Sequence, residues 1–157
     1  MVDKTEFDFE IGYGDKNYFD FLRNHDKHIQ PEMLQKKIQD KEIIIIKISN
    51  KIIGWLRFSY FWDEHPFMNM LMIDEEYRGK GLGTKLVDFW EKEMNKSGYD
   101  LVFTSTLSNE HAQHFYRKLG YEDSGCLILE GEALEIILRK TLKKRCGSGV
   151  LPCTPSN

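Results

Sequence analysis

The sequence predicts a single mixed α/β domain whose sheet is mostly antiparallel, and three observations support this fold class. The length of 157 residues and a hydrophobic content of 41% suit one globular domain with a real core. Short apolar runs follow one another across turns, and longer amphipathic runs interrupt them. The resulting order, β-α-α-β-β-β-α-β-α-β-β, differs from the regular alternation of a βαβ array.

The first half of the chain predicts one strand, two helices and a strand hairpin. Apolar residues alternate with acidic ones over residues 7–11, which indicates a strand. A short helix is predicted over 18–24, and a second one opens at Pro31, because proline is favoured in a first helical turn. Residues 43–48 are rich in β-branched side chains and predict a strand, and residues 52–60 predict the next strand, so the two form a hairpin.

The second half adds a third strand that pairs back across the turn at residues 63–66. Its remaining elements alternate between helix and strand, and Gly120 is expected to cap the second helix of this half. The predicted elements are a strand at 67–73, a helix at 86–94, a strand at 101–105, a helix at 109–119, and strands at 121–129 and 133–138.

Composition excludes several classes of function. The net charge of −3 argues against nonspecific nucleic-acid binding, and no apolar run approaches the length of a membrane span. The N-terminus has no apolar signal region. Three cysteines without a C-x-x-C pair, at positions 126, 146 and 153, indicate neither a disulfide framework nor a zinc site. A reducing, cytoplasmic setting is expected, with Cys126 buried in a strand.

The last fifteen residues differ in character from the rest of the chain. Residues 143–157 have little periodicity and are rich in Gly, Pro and Ser. We therefore predict one domain over residues 1–142 and a flexible C-terminal tail over 143–157.

The most informative stretch is a glycine-rich turn between the strand at 67–73 and the helix at 86–94. Its sequence is Arg78-Gly79-Lys80-Gly81-Leu82-Gly83-Thr84. Alternate glycines let the backbone approach a ligand closely, and a helix N-terminus offers unpaired N–H groups to an anion such as diphosphate. The spacing does not fit a nucleotide P-loop, and Thr84 stands where a dinucleotide fingerprint needs its third glycine.

A second motif follows about thirty residues later, and the two together resemble the GNAT family, the GCN5-related N-acetyltransferases. The turn fits the family's R-x-x-G-x-G loop through Arg78, Gly81 and Gly83, after a strand entry in which Glu75 stands where proline is common. The second motif resembles N-x-x-A-x-x-F-Y-x-K-x-G-[FY], with matches at Asn109, Ala112, Phe115, Tyr116, Lys118, Gly120 and Tyr121.

The resemblance covers roughly residues 5–140 and implies a central mixed sheet, splayed between its fourth and fifth strands, with acetyl-CoA in the gap. It implies that the backbone of Leu71, Met72 and Ile73 holds the pantetheine arm and the thioester carbonyl. It gives Tyr116 the role of general acid toward the CoA sulfur. The implied cofactor-binding residues are Leu71, Met72, Ile73, Arg78, Gly79, Lys80, Gly81, Leu82, Gly83, Thr84, Asn109 and Tyr116.

The predicted function is transfer of an acetyl group from acetyl-CoA to a primary amine through a tetrahedral intermediate. The acceptor stays open among a small molecule, a peptide N-terminus and a lysine side chain. Two alternatives are a non-catalytic acyl-CoA-binding sensor and a nucleotide-diphosphate-binding module. Because dimers are common in the resembling family, a homodimer is also open.

The general base is not identified by the sequence. The position at which several members of the family carry a glutamate falls on or near Phe67, which cannot accept a proton. The turn at Asp63, Glu64 and His65 offers candidates that would act through water, and deprotonation of the amine with the help of water alone is equally open. The aromatic and acidic cluster at residues 60–67 either faces the cleft, where it would suit a cationic amine, or belongs to the core and the turn surface.

No metal is expected to take part. His111 and His114 lie three residues apart on the second helix motif, but no further ligand is evident near them.

Overall fold

The computed structural model describes residues 8–143 and contains, within them, seven strands and four α-helices. Short 3₁₀ turns lie at Lys16–Tyr18 and Glu75–Tyr77. The elements are β1 (Phe9–Tyr13), α1 (Phe19–His25), α2 (Pro31–Gln39), β2 (Ile43–Ile48), β3 (Lys51–Phe61), β4 (His65–Ile73), α3 (Leu82–Lys96), β5 (Leu101–Leu107), α4 (Ala112–Lys118), β6 (Glu122–Leu127) and β7 (Glu135–Thr141).

The strands form one sheet in the order β1-β2-β3-β4-β5-β7-β6. Every neighbouring pair is antiparallel except β4 and β5, which are parallel. The mixed, mostly antiparallel α/β fold predicted from the sequence is therefore confirmed.

Strands β4 and β5 pair over a very short distance and then separate. Their register contains two residue pairs, Phe67 with Phe103 and Met68 with Thr104. The Thr104 hydroxyl also donates to the Met68 carbonyl at 3.1 Å, which ties the two strands at the point where they diverge. Beyond this point the C-terminal halves of β4 and β5 border an open V-shaped cleft.

A β-bulge in β4 coincides with this divergence. Arg57 of β3 pairs with Met70 and the next residue, Phe58, pairs with Met68, so Asn69 has no partner on β3. A bulge bends its strand and increases the local twist. We infer that Asn69 helps to turn β4 away from β5.

Both faces of the sheet are covered, which explains why all four isoleucines at 43–46 are buried. On one face Ile44 and Ile46 join a core that includes Leu86 and Trp90 of α3. On the other face Ile43 and Ile45 pack with the two N-terminal helices, in a cluster of Leu22, Leu34, Ile38, Ile43, Ile45 and Trp55.

Two buried cationic side chains connect the N-terminal helices to β3. Arg57 Nε donates to Asp26 at 2.9 Å, and both side chains are almost fully buried. Lys37 of α2 donates to Glu42 and to the Phe58 carbonyl, both at 2.6 Å. Since Asp26 also accepts the backbone N–H of His28 at 3.1 Å, the Arg57 pair fixes the start of the loop between α1 and α2.

Some sequence expectations need correction. Helix α4 begins at Ala112 rather than Asn109, because β5 extends to Leu107 in order to pair with Glu135. Cys126 lies on a strand as predicted but is exposed, because β6 is the edge strand of the sheet and all of its residues are exposed.

Other expectations fall on parts of the chain that the structure does not describe. Phe7, Cys146, Cys153 and nearly all of the predicted C-terminal tail lie outside residues 8–143. Within the described part of the chain, no helix has the length and hydropathy needed to cross a membrane.

Candidate active site

The N-terminus of α3 forms the floor of a cavity beside the glycine-rich turn. Gly81 is the N-cap of α3 with φ 79°, a left-handed conformation that glycine adopts without steric cost. The backbone N–H of Lys85 donates to the Gly81 carbonyl at 3.1 Å and closes the first turn. The N–H groups of Leu82, Gly83 and Thr84 therefore have no partner within the helix and can bind an anion.

This loop cavity has a volume of about 420 Å³. It is lined by six residues of the predicted loop and by residues of β4 and α4. The lining residues are Leu71, Ile73, Tyr77, Arg78, Gly79, Gly81, Leu82, Gly83, Thr84 and Phe115. Eight of the residues predicted to bind the cofactor are therefore among those that line this cavity.

Both predicted loop cations already have partners. Arg78 folds against the end of β4, where its Nε donates to the Ile73 carbonyl at 2.8 Å and its Nη2 contacts the Met72 sulfur at 3.6 Å. Lys80 Nζ donates to the Glu76 carbonyl at 2.7 Å and lies 5.5 Å from the centre of the Tyr77 ring. A ligand in the loop cavity would meet Arg78 directly, whereas Lys80 is not among the residues that line the cavity.

The peptide groups at the end of β4 divide between β3 and the cleft. The Asp74 N–H donates to the Ile53 carbonyl at 2.8 Å, so these two residues form a hydrogen-bonded pair. Along an antiparallel ladder, hydrogen-bonded pairs alternate with non-hydrogen-bonded pairs. Met72, opposite Trp55, therefore uses its peptide groups in the ladder with β3. Leu71 and Ile73 direct theirs away from β3, toward the edge from which β5 has separated.

A second cavity of about 470 Å³ fills the V between the splayed strands. This cleft cavity shares Leu71 with the loop cavity, so the two meet at the end of β4. Its lining comes from both strands, α4, the start of β7 and two loops. It consists of His28, Met68, Asn69, Met70, Leu71, Met72, Thr104, Ser105, Thr106, Leu107, Glu110, Ala112, Tyr116 and Glu135.

Tyr116 lies at the inner end of the cleft cavity and is only 6% exposed. Its ring packs edge-on against Tyr121, at 5.7 Å between centroids, and its hydroxyl contacts Thr104. Burial raises the pKa of Tyr116 to about 12, so the phenol keeps its proton at neutral pH. The adjacent Phe115 faces the loop cavity instead, with its ring 3.5 Å from the position of a Cβ at Gly83.

Three titratable residues of the cleft cavity were not identified from the sequence. Glu110 precedes α4, Glu135 opens β7, and His28 belongs to the loop between α1 and α2. Only Glu110 carried a usable signal, since it follows Asn109 directly within the second motif. The other two come from distant parts of the chain, and the sheet topology alone brings them to the cleft.

Other predicted residues lie away from the two cavities. Asn109 is exposed in the turn between β5 and α4 and lines neither cavity. The turn between β3 and β4 lies at the closed end of the V. There Phe61 packs against Phe67 and Phe103, both with centroids 5.8 Å away, while Trp62 is 72% exposed. The aromatic cluster thus belongs to the core and the turn surface rather than to the cleft.

Among residues 8–143, no group of three or more His, Cys, Asp or Glu side chains is placed to hold a metal ion. The rings of His111 and His114 lie 6.2 Å apart at the surface beside α4.

Curated relatives match parts of the chain. The N-alpha-acetyltransferase 30 of Schizosaccharomyces pombe is 38% identical over 56 residues, which are 35% of this chain and 37% of that protein. The S-alkylcysteine N-acetyltransferase of Bacillus subtilis is 25% identical over 101 residues, covering 58% of this chain and 57% of the relative. The matches span between about a third and three fifths of these relatives' lengths.

Solved structures show the same fold at low sequence identity. Ard1 from Thermoplasma volcanium superposes with a TM-score of 0.75 at 12% identity, covering 87% of this chain and 99% of that one. A streptothricin acetyltransferase from Bacillus anthracis, solved with acetyl coenzyme A, gives a TM-score of 0.60 at 21% identity and covers 64% of this chain and 61% of its own.

The family model described as the acetyltransferase (GNAT) family matches residues 6–121, which is well over half of the chain. The matched region contains the glycine-rich turn, the splayed strands and Tyr116. This chain belongs to the GNAT acetyltransferase family.

Proposed function

We propose that this protein is an N-acetyltransferase that moves an acetyl group from acetyl-CoA to a primary amine by direct attack. The observation that carries the proposal is the meeting of two cavities at Leu71, on the open edge of β4. One cavity has an anion-binding wall, and the other contains a buried, protonated phenol. This arrangement suits a donor with a diphosphate at one end and a thioester at the other.

The loop cavity fits the diphosphate of the donor. The free N–H groups at the start of α3 and the positive end of its dipole favour an anion there. Arg78 lines the same cavity and adds a full positive charge. The outward peptide groups of Leu71 and the outward N–H of Ile73, whose carbonyl already accepts from Arg78, would then pair with the amides of the pantetheine arm, as an added strand would.

The cleft cavity supplies groups for the acyl transfer. Attack by the amine on the thioester carbonyl creates an oxyanion, which a peptide N–H on the open edge of β4 would stabilise. Tyr116 would protonate the departing thiolate, because its phenol lines the cleft cavity and carries its proton at neutral pH. Thr104, in contact with the phenol and bonded to the Met68 carbonyl, would hold the ring in place.

We propose an α-amino group as the first acceptor to test. Both relatives described above are named as acetyltransferases of such groups, one as an N-alpha-acetyltransferase and the other for S-alkylcysteine. A lysine side chain and other small amines are the remaining acceptor classes.

Donor binding can be tested by thermal shift with acetyl-CoA, ATP and NAD side by side. We expect stabilisation by acetyl-CoA and its loss in Gly81→Asp, since a carboxylate at the N-cap would occupy the anion site. Gly98→Asp is the matched control, because Gly98 has φ 94° and open space around it at the other end of α3. Stabilisation by a nucleotide alone would favour the nucleotide-binding module instead.

Catalysis can be tested by measuring thiol release with a panel of amines: amino acids, short peptides with free N-termini, and peptides that carry lysine. We expect turnover with at least one of them. Tight acetyl-CoA binding without turnover on any amine would favour the acyl-CoA-binding sensor.

A further inference from the structure

Glu110 is a carboxylate that shares the cleft cavity with Tyr116 and that the acyl transfer described above does not use. It follows β5 in the turn that leads to α4, and its side chain reaches back to that strand. Its Oε2 accepts the Thr106 hydroxyl at 2.9 Å. Thr106 is 5% exposed and lines the same cavity, so a buried donor fixes the position of an accessible carboxylate.

The position of Glu110 relative to Tyr116 suits a paired acid and base. Both side chains line the cleft cavity. Burial raises the pKa of Tyr116 most, its hydrogen bond with Thr104 lowers it, and the negative charge of Glu110 raises it further. Glu110 also remains exposed, so it can pass a proton to solvent.

We propose that Glu110 is the general base that deprotonates the acceptor amine, and that Thr106 is the residue that positions it. The proposal rests on the proposed acetyl transfer. It places the base on the β5 side of the cleft, in the turn before α4, rather than at Phe67 or in the turn at residues 63–65.

The proton transfers balance with these two residues. The acceptor arrives as an ammonium ion, and the Glu110 carboxylate accepts its first proton. The freed lone pair forms the N–C bond to the thioester carbonyl carbon. When the C–S bond breaks, Tyr116 protonates the thiolate and is reprotonated by the second proton of the nitrogen. Glu110 releases its proton to solvent, so the products are the amide, the free thiol and one H⁺.

Glu135 of β7 and His28 of the loop between α1 and α2 are the other titratable groups that line the cavity beside Glu110 and Tyr116. Neither makes a side-chain hydrogen bond to a residue of β5 or α4 among the described contacts. A carboxylate at Glu135 attracts a cationic acceptor in the same way as one at Glu110. Replacing Glu110 and Glu135 in turn distinguishes a carboxylate that only attracts the cationic acceptor from one that also removes its proton.

The test compares Glu110→Gln with Glu135→Gln, which makes the same change of charge in the same cavity. The probes are acetyl-CoA and the best amine from the panel, assayed by thiol release between pH 6 and 10. We expect Glu110→Gln to lower kcat at pH 7 by roughly 10²–10⁴-fold, the typical contribution of general acid–base catalysis. Affinity for acetyl-CoA, measured by thermal shift, should stay unchanged.

The pH profile gives a second readout that a purely structural role would not change. In Glu110→Gln, the rate of thiol release should no longer stay level around neutral pH. It should rise about tenfold per pH unit toward the pKa of the amine, because only spontaneous deprotonation remains. Glu135→Gln should keep the wild-type profile and change mainly KM. Thr106→Val should lower kcat, and Thr106→Ser, which keeps the hydroxyl, should restore it.

The outcomes distinguish the two proposals. If the wild type turns over an amine and Glu110→Gln keeps its rate and profile, the assignment of the base is wrong and the acetyltransferase function stands. Equal losses in the two Gln variants would also overturn the assignment and indicate a shared effect of charge. If the wild type binds acetyl-CoA but releases no thiol with any amine, both proposals fail.

Discussion

At the scale of single residues, Phe115 and Tyr116 show how one short helix serves two cavities. The two side chains are neighbours in sequence and therefore leave the helix in different directions. Phe115 packs beside Gly83 at the loop cavity, and Tyr116 points into the cleft cavity. We therefore expect that changes at these adjacent positions would affect the proposed donor binding and the proposed proton transfer separately.

Replacing Tyr116 with phenylalanine should lower turnover by roughly 10²–10⁴-fold, because the thiolate would leave without an acid. Affinity for acetyl-CoA should change little, since the ring remains. Thiol release and thermal shift measure the two effects. Tyr121→Phe is the control: it removes a hydrogen bond of 3.0 Å to Glu91 and should reduce stability rather than turnover. Unchanged turnover in Tyr116→Phe would contradict the acid role.

Removing one partner of the Asp26–Arg57 pair should destabilise the fold strongly. Asp26→Ala would leave the Arg57 guanidinium buried without its carboxylate, at a cost of about 3–5 kcal/mol. The double change Asp26→Leu with Arg57→Met should recover most of this loss, because no buried charge remains. Urea unfolding of the three proteins measures the effect, and a single variant as stable as the wild type would refute the prediction.

At the scale of elements, the order of strands and helices could be predicted from the sequence, while some of their ends could not. The isoleucine-rich run at 43–48 identifies β2 to the residue, and the run at 52–60 identifies β3 to within one residue at each end. The start of α4 could not be predicted, because β5 is lengthened by pairing with β7, a contact far away in sequence. Helix and strand patterns are local, whereas their boundaries depend on the partner strand.

The two cavities of the candidate site also differ in how far the sequence predicts them. Apart from Phe115, the residues that line the loop cavity lie between positions 71 and 84, and six of them belong to the glycine-rich turn. The cleft cavity collects Glu135, His28 and Glu110 from three separate segments, and no local pattern marks the first two. Within the second motif, Asn109 was the residue predicted to contact the cofactor, but its neighbour Glu110 is the one that lines the cleft cavity together with Tyr116.

Gly54 of β3 allows strand β4 to lie close to strand β3, because glycine has no side chain. A Cβ at this position would lie 2.4 Å from the Met72 carbonyl and 2.7 Å from Ile73 Cδ1. Gly54→Ala should therefore push β4 away and cost about 1–3 kcal/mol, as overpacking typically does. It should also weaken acetyl-CoA binding, because the displaced residues border both cavities.

Gly12→Ala is the matched control for this prediction, since Gly12 also lies in a strand but has no atom within 4 Å of its Cβ position. Urea unfolding and thermal shift with acetyl-CoA compare the two variants. Equal stability of the two proteins would show that β4 does not depend on the close approach at Gly54.

At the scale of the whole molecule, the free energy of unfolding depends on pH through tyrosine phenols that lie wholly or partly inside the fold. Burial raises the pKa of Tyr116 and of Tyr60 to about 12. It also raises that of Tyr121, beside the carboxylate of Glu91. An unfolded chain releases these protons near pH 10, before the folded protein can do so.

Stability should consequently be complete below about pH 10 and fall as the pH rises through 12. Tyr116 alone should account for a loss of about 3 kcal/mol, since two pKa units correspond to twice 1.36 kcal/mol. Urea midpoints at pH 8, 10, 11 and 12 measure the decline, which should be shallower in Tyr116→Phe. A midpoint that stays constant from pH 9 to 12 would contradict the prediction.

The short pairing between β4 and β5 bears on how long the protein would persist in a cell. Two residue pairs and one threonine hydroxyl join a four-stranded part of the sheet to a three-stranded part. A donor lying along the open edge of β4 would supply hydrogen bonds that the strands do not give each other, and a ligand that binds only the folded state opposes unfolding. We expect amide exchange and proteolysis to slow when acetyl-CoA is plentiful, so the abundance of this protein would follow the supply of its own donor.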